Sequence, residues 1–115
     1  MIKLIAVDLD GTLLDDNKNI HPSFWEIHKK LTEQGVIFVA ASGRQYYKLI
    51  EQFENIRDEI VFLSENGTYV IYKGDELFVN DMSMDDARYF IRKGRGVKGT
   101  DLILCGKQSA SVENT

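Results

Sequence analysis

Asp8 and Asp10 stand one residue apart where an apolar run, Leu4-Ile5-Ala6-Val7, meets a glycine, Gly11. Two carboxylates this close repel each other unless a cation or a shared proton relieves them. Carboxylate oxygens are hard ligands suited to Mg²⁺, which binds through one or two carboxylates together with substrate phosphate. Two other apolar runs also end in polar groups: Ser42-Gly43-Arg44 follows the first, and Ser64-Glu65-Asn66-Gly67 the second. A serine hydroxyl and free backbone amides where a helix begins make an anion site, and a guanidinium adds a planar fork for the same charge. Acids that hold a metal, beside donors that hold an anion, point to phosphoryl transfer.

These groups work together only if the elements beneath them converge. The run before Asp8 lacks two-residue alternation, which predicts a strand covered on both faces, as in a parallel sheet. Residues 36–41 and 60–63 read the same way. Between them, Phe24, Ile27, His28 and Leu31 recur at helical spacing, with Pro22 suited to the first turn and Gly35 to the stop. A second helix is expected over residues 45–54, with Tyr46, Leu49, Ile50 and Phe53 on one face. Strand, helix, strand, helix, strand makes a βαβαβ unit with right-handed crossovers, whose ligands bind at the carboxyl ends of the strands. In the order 1-2-3 both helices fall on one sheet face. The other face is then a bare apolar patch open to self-association.

The pattern then changes. Residues 68–72 and 76–79 flank Lys73-Gly74-Asp75, a hairpin signal. Ser83 and Asp86 read as a capping pair before a helix carrying Ala87, Phe90 and Ile91. Two further strands are expected at 101–105 and 108–112, turned at Gly106-Lys107. The expected division is 1–82 for a Rossmann-like α/β core and 83–115 for the opening of an α+β module.

Composition narrows the function classes. The chain has 115 residues, 43% of them hydrophobic, and a net charge of −4 with basic residues interspersed, which argues against a nucleic-acid face. No apolar stretch approaches membrane-spanning length, and Asp8 interrupts the N-terminal run too early for a signal peptide. The single Cys105 allows no internal disulfide and reads as a strand residue. A cytoplasmic protein is the expectation.

The segment Asp8-Leu9-Asp10-Gly11-Thr12-Leu13-Leu14 resembles the first motif of the haloacid dehalogenase superfamily of phosphatases. Ala41-Ser42-Gly43-Arg44 is similar to the second motif as carried by the Cof-type branch, and Ser64-Glu65-Asn66-Gly67 also resembles that branch. The resemblance implies an incomplete core followed by the start of a cap, acting on small phosphorylated metabolites such as sugar phosphates. It implies Asp8 as nucleophile, forming an aspartyl-phosphate, and Asp10 as general acid and then base. A neighbouring anionic Asp8 is expected to raise the pKa of Asp10 and favour its acid form. The resemblance also implies Mg²⁺ on an Asp8 oxygen and the Asp10 main-chain carbonyl. Phosphoryl oxygens would lie on the Leu9 and Asp10 amides, Ser42 and the Gly43 N–H, with Arg44 and Asn66 on the substrate side.

The family also uses a lysine and an acidic pair further along, and neither is recognisable in this sequence. Lys98, Lys107, Asp85-Asp86 and Asp101 do not fit those places. The expectation is therefore an N-terminal portion of a longer phosphatase, poorly active alone. The alternatives are a receiver-like phospho-acceptor domain, which needs an aspartate where Ser64-Glu65 stands, and a non-catalytic fragment. A calcium loop from Asp15 is disfavoured because Ile20 occupies its glycine position.

Overall fold

The computed structural model describes residues 1–114; Thr115, the last residue of the expected cap segment, lies outside them. Contacts divide the chain into two units, Met1–Val79 and the remainder from Asn80.

The first unit is a five-stranded sheet in the order β1-β2-β3-β4-β5. Strands β1 (Leu4–Asp8), β2 (Ile37–Ala41) and β3 (Val61–Ser64) are parallel, each register pairing carboxyl end with carboxyl end. Helix α1 (Ser23–Glu33) crosses from β1 to β2, and α2 (Tyr46–Gln52) crosses from β2 to β3. Strands β4 (Tyr69–Tyr72) and β5 (Asp75–Val79) extend the sheet antiparallel. Their turn places Lys73 and Gly74 at φ 53° and 78°, the left-handed pair that a type I′ hairpin requires.

The core lies on the helix side of the sheet. Leu9, Leu14, Phe24, Phe38, Ala40, Leu49, Phe53, Ile60 and Phe62 form one buried cluster. Phe24 joins the elements, its ring centroid 5.2 Å from Phe38 and 6.1 Å from Phe53. The second helix is shorter than its apolar spacing predicts. It ends at Gln52 because Phe53 leaves the helical conformation (φ −122°) as its side chain enters this cluster, and a single 3-10 turn, Glu54–Ile56, follows.

The opposite face carries Leu4, Ala6, Ile37, Val61, Leu63 and Phe78, related by strand register, and no helix of this unit covers it. Leu4 is 54% exposed and Ile37 44%. The first strand therefore alternates in exposure despite its continuous apolar sequence, and the two-sided cover expected from that run is not supplied by this unit. An apolar run reports a strand made to be covered on both faces; the chain itself need not supply both covers.

The second unit consists of α3 (Met84–Arg95) and a hairpin of β6 (Asp101–Cys105) and β7 (Ala110–Asn114). Ser83 caps the helix, its hydroxyl accepting from the Asp86 N–H at 3.1 Å. None of residues 80–112 is buried. The apolar side chains of helix and hairpin line an open cleft of about 450 Å³. The last strand begins two residues later than the sequence pattern suggests.

Candidate active site

The carboxyl ends of β1, β2 and β3 lie side by side. Asp8 pairs in register with Ala41, and Ala41 with Leu63, so Ser42 and Ser64 follow on neighbouring strands. After Asp8 the chain curls tightly. The Leu9 carbonyl accepts from Thr12 and Leu14 N–H at 3.2 and 2.9 Å, while Gly11 takes the left-handed φ of 77° that the turn needs. This curl buries the Leu9 side chain completely and leaves Asp8 and Asp10 exposed. The alternation of a strand thus continues into the turn, sending apolar Leu9 inward and its acidic neighbours outward.

The first and second strand ends meet directly. Arg44 Nη2 donates to Asp10 Oδ1 at 2.8 Å, and Lys18 Nζ reaches the same oxygen at 3.0 Å. The Lys18 hydrogen bond above all, with the Arg44 charge and hydrogen bond, holds the Asp10 carboxyl below its ordinary range, against some desolvation. Asp10 is therefore kept ionised here. The expectation that Asp8 would raise its pKa is overturned: the groups that act on the carboxyl are the Lys18 and Arg44 cations, with desolvation opposing them.

The second and third strand ends are latched through their backbones. Asn66 N–H donates to the Ser42 carbonyl at 3.1 Å and Glu65 N–H to the Arg44 carbonyl at 2.9 Å. Glu65, Asn66 and Gly67 all have positive φ (48°, 59° and 92°), so the chain turns back at once and brings the Asn66 side chain over Gly43. A Cβ on Gly43 would stand 2.9 Å from Asn66 Oδ1. What glycine supplies here is room for the Asn66 side chain rather than a positive φ.

Ser42 is buried, and its hydroxyl accepts from the Arg44 N–H at 3.0 Å. It does not cap α2, whose N-cap position is Gln45. With seven residues and a start beyond Arg44, α2 does not supply the helix-terminus anion site read from the sequence; the amides of the 42–44 turn itself remain. Ser64 is also buried, its hydroxyl donating to the Tyr69 carbonyl at 2.7 Å, which is a structural bond. Tyr47, three residues after Arg44, donates to Gln45 Oε1 at 2.6 Å.

Among the described residues Asp8 has no cation of its own, and no group of three acidic, histidine or cysteine side chains forms a metal cage. An unpaired exposed carboxylate at a strand end, with the Asp10 carbonyl two residues on, suits Mg²⁺, which takes few protein ligands. Lys18 is the site residue that sequence reasoning missed. Residues 13–20 read as a polar loop, and the available signal was a lone cation following a doublet of site acids.

A family model of haloacid dehalogenase-like hydrolases matches residues 5–115. The chain belongs to this family. It is 41% identical over 110 residues to an Escherichia coli protein named 5-amino-6-(5-phospho-D-ribitylamino)uracil phosphatase YbjI, covering 95% of this chain and 41% of that protein. A putative phosphatase of Buchnera aphidicola is 35% identical over 81 residues, covering 70% of this chain and 30% of that one. Among solved structures, SMU.1108c from Streptococcus mutans superposes with a TM-score of 0.85 at 29% identity, covering 96% of this chain and 42% of that one. The chain thus spans about two-fifths or less of the length of these relatives.

Proposed function

We propose that the intact protein is a Mg²⁺-dependent phosphatase of small phosphomonoesters, sugar phosphates or similar, for which this chain supplies the nucleophile and the proton-transfer residue. The observation that carries this reading is the arrangement around Asp10. Arg44 and Lys18 occupy the second acid of the Asp8/Asp10 pair, and the first is left without a counter-charge among the described residues. An unpaired carboxylate is the better nucleophile, and a hydrogen-bonded one is better placed to move a proton. Family membership and phosphatase-named relatives support the same chemistry and displace the receiver-like alternative.

In this reading an Asp8 carboxylate oxygen attacks phosphorus and the bond to the leaving oxygen breaks, giving an aspartyl-phosphate. Asp10 protonates the leaving oxygen and then takes a proton from the water that releases phosphate. The resting site suits Asp10 as base. For its acid role, the incoming phosphate contributes negative charge that opposes the effect of Lys18 and Arg44 and favours proton uptake. The Leu9 and Asp10 amides, the Gly43 N–H and the Ser42 hydroxyl would hold phosphoryl oxygens, with Arg44 and Asn66 on the substrate side. Mg²⁺, on the Asp8 carboxylate and the Asp10 carbonyl, would offset repulsion between the acids and the substrate. Residues 83–115 would begin the cap, and the cytoplasm is the compartment that the lone Cys105 suits.

The test is Asp8→Asn in the intact protein, assayed for Mg²⁺-dependent hydrolysis of p-nitrophenyl phosphate. Turnover is expected to vanish, and wild-type turnover in this variant would sink the assignment.

A further inference from the structure

The loop after the first motif is built to deliver one side chain. Asp15 Oδ1 accepts from the N–H groups of Asn17 and Asn19, each at 2.9 Å, and the Asp15 and Lys18 amides close the turn on Asn19 and Asp15 carbonyls at 3.0 and 2.9 Å. A bridge between Leu14 and Ile20 seals its base. From α2, Gln52 Nε2 donates to the Lys18 carbonyl at 3.2 Å. At the tip Lys18 has φ 63°, a left-handed conformation that glycine or asparagine adopts at less cost. A lysine in that position, between two asparagines, is poor turn chemistry, and an exposed ion pair adds little stability in return.

What the lysine does is visible at Asp10. Both Lys18 and Arg44 bind Oδ1, and Oδ2 has no hydrogen-bond partner among the described residues. Two donors on one oxygen fix the carboxyl's rotation and leave the other oxygen presented outward. We propose that Lys18 is a positioning residue: with Arg44 it clamps Asp10 Oδ1 so that Oδ2 is the oxygen that exchanges the proton with the leaving group. This rests on the reading of Asp10 as the proton-transfer residue.

Lys18→Gly tests it, because glycine relaxes the turn while removing the clamp. In the intact, Mg²⁺-supplied protein the melting temperature should hold or rise. A leaving group of high pKa needs its proton in the transition state, whereas p-nitrophenolate hardly does. The variant's kcat/KM should therefore fall about tenfold or more for an alkyl phosphate and less than about threefold for p-nitrophenyl phosphate. Lys18→Arg, which keeps a donor, should recover most of the alkyl phosphate rate. Unchanged alkyl phosphate turnover in Lys18→Gly overturns the proposal, and so does an equal loss on both substrates, which would mark a general effect on binding. Failure of the underlying reading shows separately, as wild-type turnover of the alkyl phosphate in Asp10→Asn.

Discussion

Asp8 and Asp10 are the same side chain in different surroundings, and in the proposed mechanism the surroundings divide their work. Asp10 is gripped by Lys18 and Arg44, and Asp8 is free of both. Gly43 belongs to the same scale, since it gives Asn66 room to lie across the 42–44 turn. Gly43→Ala is expected to displace the Asn66 side chain rather than unfold the sheet, because a side-chain amide yields more easily than backbone. The expected result is a loss in kcat/KM on the order of tenfold or more with a nearly unchanged melting temperature, measured on the intact protein. The sequence predicted that these residues gather at one edge of the sheet, and the strand registers bring their strand ends side by side. It did not show which atom meets which, because the Asp10–Arg44 contact joins residues 34 apart and depends on strand adjacency.

At the scale of elements, α1 carries a pH-sensitive position unrelated to the site. His28 is buried between Phe24 and Phe38, with ring centroids at 5.8 and 6.0 Å, and its Nε2 lies 3.4 Å from Thr32 Oγ1. Desolvation lowers its pKa from 6.5, partly opposed by the charge of Glu59. Above that value the imidazole is neutral whether folded or not. Below it the unfolded chain binds a proton that the folded chain resists, so stability falls as pH drops below 6.5. His28→Phe should flatten that dependence, read from urea midpoints between about pH 7 and about pH 5. In the second unit, Gly94 lets α3 approach β6, since a Cβ there would stand 2.6 Å from Leu102 Cδ2. Gly94→Ala, despite better helix propensity, is expected to destabilise this unit by about 1 kcal/mol or more through overpacking. Adding Leu102→Ala should recover part of the loss, as followed by hydrogen exchange of α3 amides.

For the whole molecule the decisive feature is the open sheet face. Leu4 and Ile37, paired on β1 and β2, and Phe78 on β5 are exposed large apolar side chains of this face. The 115-residue chain is expected to self-associate through it. Light scattering behind size exclusion should show mass above the monomer's 13.2 kDa, rising with concentration. Leu4→Lys with Ile37→Lys should return the monomer; a monomeric wild-type chain at high concentration would contradict this use of the face.

The order of elements, the three polar strand ends and the family were legible in the sequence, because each rests on local patterning: uninterrupted apolar runs, helical spacing, and glycine beside acid. The length of α2 was not, because burial of Phe53 overrides helix propensity at its end. The placement of Lys18 was not either, since a polar loop and a clamp have the same composition. Only the tertiary structure decided that two cations meet on one oxygen of Asp10, and so reversed the expected direction of its pKa. Electrostatic effects depend on separation in space, and Lys18, Arg44 and Asp10 acquire theirs only when β1, β2 and the loop after Leu14 are assembled.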